Sequence, residues 1–205
     1  MERNSVQTKQ NILNAAIKEF SAKGLAGARI DSIAAEAGCN KGMIYQYYGS
    51  KDALYETVIR HEYEILSYVE ADILHESHNY KQMISIIVDK YFDFLLQNPN
   101  FVKIIMWENL NEARVIKSNE AINGIKSPIL NATAEMVESG KANGIFREDA
   151  NAQEVMFSLI TGAFSFFSNK YTISCIIPID LEDESVIETH KRLLKDSIMN
   201  YLIKR

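Results

Sequence analysis

The chain has 205 residues, 47% of them hydrophobic and 24% charged, and a formal net charge of −5. These totals fit an ordinary globular protein of one or two domains and argue against one coated in nucleic acid. Two cysteines, Cys39 and Cys175, stand too far apart in sequence to read as a disulfide framework, and three prolines among 205 residues leave long uninterrupted segments, so the expected class is all-α.

In chain order, apolar residues Leu13, Ala16, Ile17 and Phe20 repeat as on an amphipathic helix over 6–23, which Gly24 ends. A short second helix carries Ile30, Ile33, Ala34 and Ala37 on one face and stops at Gly38. Gly38-Cys39-Asn40 makes a turn, and Asn40 is a good cap for a third helix from Lys41 to about Tyr48. Two short helices joined by a three-residue, glycine-containing turn are a helix-turn-helix, here spanning about 29–48. Ile33, Ala37 and Ile44 are expected to face the first helix. Gly49 closes the third helix, and Ser50 caps a fourth that runs to about residue 75. Later helices are expected over 80–97, 100–113 and 183–203, with another that begins at Asp149 or Asn151 and runs to about 169, and one long helix or two short ones within 118–143. Residues 171–181 read as a connection, and no flexible linker interrupts the chain.

Lys41 and Lys51 both stand at helix starts, where the helix dipole already places positive partial charge. The arrangement makes sense if each start receives a phosphate, so that lysine and dipole act on one anion. In a helix-turn-helix the second helix enters the DNA major groove with its N-terminal residues toward the bases. Charge distribution agrees: residues 1–51 carry seven basic and four acidic side chains, a balance of +3, while the remainder carries −8.

The segment 11–55 includes Ile12-Leu13-Asn14-Ala15-Ala16, Phe20, Gly24, Ile33-Ala34-Ala35-Glu36-Ala37-Gly38, Lys41-Gly42, Ile44-Tyr45, Tyr47-Tyr48 and Ser50-Lys51-Asp52-Ala53-Leu54. It closely resembles the DNA-binding domain of TetR-family transcriptional regulators. The resemblance implies a DNA-binding domain over 1–52 and a helical effector-binding and dimerisation domain over 53–205. It also implies that Lys41, Gly42, Met43 and Tyr45 lie at the groove and that Tyr47 and Lys51 hold phosphates, and Asn40 is counted with them among the DNA-binding residues. Tyr48 stands where the family usually has Phe and is expected in the core, its hydroxyl needing a partner. Two positions depart from the pattern. Arg29 replaces a capping Thr; it cannot cap, and is expected on a phosphate. Cys39 replaces Val and reads as a small hydrophobe rather than a redox switch.

Members of that family carry an effector pocket and a dimer face in the helical body. Residues 80–97 are apolar nearly all round, and Phe101, Ile104, Ile105, Met106 and Trp107 follow. Tyr91, Trp107, Glu108, Asn109 and Phe164 are the candidate lining of a largely apolar pocket, although plain core packing accounts for each of them singly. Leu159 and Phe166, with Ile187, Leu194, Ile198 and Leu202, are the candidate homodimer face on the last two helices. His75 and His78 have helical spacing but too few companions for a metal, and read as a surface loop.

The reading is therefore a homodimeric, effector-responsive regulator, most simply a repressor, that binds double-stranded DNA at an inverted repeat. No cofactor, metal or catalytic residue is expected. The polar N-terminus and the absence of an apolar run long enough for a bilayer predict a cytoplasmic protein without a membrane partner. The alternatives are a binding module that has lost its DNA contacts, and an enzyme, for which no constellation stands out.

Overall fold

The computed structural model describes residues 2–76, 79–120 and 128–204. Ser77 and His78 fall outside that set, as does the side chain of His75, and Ser127 with them. The described residues form α1 (Glu2–Gly27), α2 (Ile30–Ala37), α3 (Lys41–Tyr48), α4 (Lys51–Glu76), α5 (Tyr80–Gln97), α6 (Pro99–Leu110), α7 (Arg114–Ser118), α8 (Pro128–Ala142), α9 (Ala152–Ser168), α10 (Lys170–Ile176) and α11 (Glu184–Leu202). Among them the only β pairing is an isolated antiparallel bridge between Phe146 and Ile203. No helix is long and apolar enough to cross a membrane, again among the described residues.

The chain divides into two compact units. One is residues 1–65 with 99–125, the other 66–98 with 126–205. This division differs from a boundary at residue 52, because the core of the first unit draws on later segments. Ile12, Ala16 and Phe20 of α1 bury against Ile33 of α2 and Ile44 of α3, together with Leu54, Tyr55, Val58 and Ile59 of α4 and Ile104 of α6. Ala37 is only half-buried at the margin of that core.

Most predicted helices occur at their predicted positions because their end signals are local. Asn40, Asn79, Asn151 and Asp183 each accept a hydrogen bond from a backbone N–H in the first turn of the helix they precede. Ser50 does the same for α4, accepting from the Ala53 N–H at 3.0 Å. Two elements differ. The helix after Pro99 stops at Leu110, since Glu112 and Ala113 adopt left-handed backbone (φ 58° and 55°) and a separate α7 follows. Part of the expected connection is helical as α10, its first turn closed by Ile173 N–H on Asn169 O.

In the second unit α5 lies against α9 and α11, and α9 against α8. Ile84, Ile87, Val88 and Phe92 of α5 are buried with Val155, Leu159 and Phe166 of α9 and with Ile198 and Leu202 of α11. Two ion pairs tie α11 to α5: Lys191 to Asp93 at 2.9 Å and Lys195 to Asp89 at 2.7 Å.

Candidate nucleic-acid interface

The reading head is built from backbone upward. Gly38 takes a left-handed conformation (φ 66°, ψ 35°), which lets its N–H and that of Cys39 close onto α2 carbonyls. Asn40 is extended, and its side-chain oxygen accepts the Met43 N–H at 3.0 Å. The start of α3 is thereby fixed in register and direction. Ile44 is fully buried and anchors the helix from below.

With Ile44 inward, Lys41, Gly42 and Tyr45 come out exposed, Tyr45 at 48%, while Met43 is half-buried. Lys41 meets Asp31 of α2 at 3.2 Å, with both side chains more than half exposed. Such an exposed pair is worth about 0–1 kcal/mol and yields readily to a phosphate. A methyl group on Gly42 would sit 3.0 Å from the Asn40 cap oxygen, so the glycine keeps the cap intact as well as keeping the surface open. Lys51 sits at the start of α4, its ammonium donating to the Ala26 carbonyl at 3.5 Å.

Arg29 occupies the cap position of α2 and makes no side-chain cap there. Its backbone N–H donates instead to Glu19 of α1 at 3.0 Å, and its own side chain is exposed. Partial burial works against ionisation of Glu19, but hydrogen bonds from Lys23 and from the Arg29 backbone outweigh it and hold the carboxyl below its ordinary value. Burial pushes the Cys39 thiol up, away from a reactive thiolate, and the residue packs against the core as a small hydrophobe.

Two features lay beyond the sequence reading. The Tyr48 hydroxyl, expected to need a partner, donates to the Lys9 carbonyl at 2.8 Å. The Lys9 ammonium stands 5.3 Å over the Tyr47 ring. The N-terminal turns of α1 therefore lie against α3. The unusual demand of a tyrosine in a core position was the sequence signal; the identity of its acceptor depended on tertiary packing.

The candidate pocket residues divide between the two units. Trp107 turns its ring to Gly24 of α1 and donates its indole N–H to the Ser21 carbonyl at 3.2 Å. Glu108 is buried, accepting from the Tyr55 hydroxyl and from the Ile116 N–H. Asn109 is exposed. These three belong to the first unit, and the polar groups of Trp107 and Glu108 are engaged in holding it together. In the second unit Tyr91 is buried with its hydroxyl on Glu70, and Phe164 is half-buried.

The candidate dimer residues need correction. Leu159, Phe166, Ile187, Ile198 and Leu202 are 0–7% exposed in a single protomer, so they have almost no surface left to give a partner. Leu194 is half-buried and packs closely on α9: a Cβ added at Gly162 would lie 2.9 Å from its Cδ1. The exposed apolar side chains on these two helices are Phe157 (64%), Ile160 (47%) and Leu193 (59%). Helical periodicity marked apolar stripes on these two helices, and the structure turns those stripes into the protomer's own core.

Residues 12–58 match the family "Bacterial regulatory proteins, tetR family", and residues 81–198 match "Tetracyclin repressor-like, C-terminal domain". The chain is similar to the HTH-type transcriptional repressor NicS of Pseudomonas putida, 30% identical over 178 residues that cover 87% of this chain and 84% of that protein. It is also similar to the HTH-type transcriptional repressor SCO4008 of Streptomyces coelicolor, 29% identical over 162 residues that cover 78% and 79%. A crystal structure of a TetR family transcription regulator from Marinobacter aquaeolei shares the fold, with a TM-score of 0.72 at 14% identity over all of both chains. The chain thus belongs to the tetR family of bacterial regulatory proteins and is a DNA-binding regulator of transcription rather than an enzyme.

Proposed function

We propose that the protein is a homodimeric, cytoplasmic repressor that binds an inverted-repeat operator and leaves it when a small, largely apolar effector binds the second unit. The observation that carries this reading is the capped start of α3, which leaves Lys41, Gly42 and Tyr45 exposed together, with Lys51 beginning the next helix. Met43 adds an apolar contact for a thymine methyl, and Arg29, Tyr47 and Lys51 hold phosphates. That its relatives NicS and SCO4008 are named repressors supports the sign of regulation.

A two-fold dimer pairs two such heads on an operator with the same symmetry. The exposed apolar side chains Phe157 and Ile160 of α9 and Leu193 of α11 are the surface we assign to that dimer. For the effector we assign Tyr91 and Phe164, with the Tyr91–Glu70 pair as the polar anchor among apolar neighbours. Effector binding shifts the population toward a conformation in which α4 has turned and the two heads no longer match successive major grooves. In-vitro selection of random duplexes by the purified protein tests the reading. An enriched inverted repeat supports it, and the absence of enrichment from folded, dimeric protein overturns it.

A further inference from the structure

We infer that Lys9, on the part of α1 that precedes the family-matched segment, is a DNA-backbone contact that forms a phosphate site together with Tyr47. The inference rests on the DNA-docking reading above and adds a residue to it.

The family match begins at residue 12, yet α1 is already helical from Glu2. Ten residues of helix span about 15 Å, so this extension is a substantial object. It is joined to α3 at two adjacent residues: the Lys9 carbonyl accepts from the Tyr48 hydroxyl at 2.8 Å, and the Lys9 ammonium lies 5.3 Å over the Tyr47 ring. Lys9 is otherwise exposed.

Geometry then says what an ammonium there would meet. A recognition helix turns its N-terminal residues to the bases. The eight residues of α3 extend about 12 Å, comparable to the major-groove width of about 12 Å. The far end of α3, where Tyr47 and Tyr48 sit, is therefore beside the groove wall, which is made of phosphates. Charge accounting points the same way. The other two lysines of α1, Lys18 and Lys23, are each paired with a carboxylate, on Glu36 and Glu19. Among the described residues Lys9 has no such partner, and the cation–π contact already orders its side chain before DNA arrives.

The test measures binding of full-length Lys9→Ala and Lys9→Gln, with Lys9→Arg and Lys51→Ala as controls, over a series of salt concentrations. The probes are the selected inverted-repeat duplex and a random-sequence duplex of equal length. Each lost phosphate contact lowers the slope of log K against log salt by about 0.9, and affinity at 0.15 M salt by about fivefold per subunit. Lys9→Ala and Lys9→Gln are expected to weaken both duplexes alike, with the slope about 1.8 shallower per dimer and with unchanged thermal unfolding. Lys9→Arg is expected to keep the slope. An unchanged slope in both Lys9 variants, while Lys51→Ala weakens binding, overturns the inference and leaves Lys9 as a cover for the Tyr47 ring. Unchanged binding in Lys51→Ala as well overturns the docking reading on which it rests.

Discussion

The Tyr55 hydroxyl donates to Glu108 Oε1 at 3.1 Å, and both side chains are buried in the first unit. The second oxygen of that carboxylate accepts the Ile116 N–H at 3.3 Å, so α4, α6 and α7 converge on one group. Burial, with the adjacent carboxylate adding to it, pushes the Tyr55 phenol well up. Tyr55→Phe leaves Glu108 one partner short and is expected to cost about 1–3 kcal/mol. Urea denaturation of the two proteins measures it; a loss below about 0.5 kcal/mol would mean that the pair does not hold these helices together.

Trp107 presses on α1 where Gly24 interrupts the helix with φ 65° and ψ 177°. A Cβ at Gly24 would lie 2.8 Å from the indole. Gly24→Ala is therefore expected to destabilise by about 2–6 kcal/mol, from a positive-φ, extended backbone open essentially only to glycine and from overpacking together. In a Trp107→Leu background the overpacking part should vanish and the cost of Gly24→Ala should fall to about 1–3 kcal/mol. A double-mutant cycle by thermal or urea unfolding reads that coupling directly.

Glu62 of α4 is 4% exposed, and burial raises its carboxyl to about 7 from an ordinary 4.5. The folded chain keeps this proton up to about pH 7, whereas the unfolded chain releases it near 4.5. Stability from this group is full below the unfolded value and is lost as pH rises toward and through the folded one, by up to about 3 kcal/mol. Glu62→Gln should match the parent near pH 4 and exceed it at pH 8. A stability–pH profile of the variant that runs parallel to the parent's would contradict the assignment.

On the DNA side, Tyr45→Ala and Lys51→Ala should each weaken operator binding about tenfold or more while leaving the oligomeric state unchanged, since neither residue contributes to the buried core. Fluorescence anisotropy against the selected duplex, with sedimentation as control, measures both. Retained affinity in both variants would count against docking through α3.

For the dimer, Leu193→Glu or Phe157→Glu should yield monomers, because each puts a carboxylate at an exposed apolar position of the proposed interface without disturbing the protomer's core. Leu202→Glu should instead unfold the second unit, as Leu202 is fully buried. Sedimentation velocity and circular dichroism separate the two outcomes. Dimers persisting in both Leu193→Glu and Phe157→Glu would show that the copies meet elsewhere.

Helix ends and the reading head were determined by the sequence itself. Asn40, Gly38 and Ser50 act on backbone groups within a few residues, so the turn, the start of α3 and the start of α4 follow from local chemistry. The apolar repeat likewise marked the longer helices, though not α10 or the break between α6 and α7. What tertiary structure alone decided is which stripe of α9 and α11 faces in, and which distant residue completes each polar group. Leu159 and Ile198 lie on stripes as apolar as an interface would be, and only the packing of α5 against α9 and α11 turns them inward. Glu108 and Tyr55 stand 53 residues apart, and Tyr48 and Lys9 39 apart. Their pairing depends on long-range contacts, for which hydrophobic periodicity carries no signal.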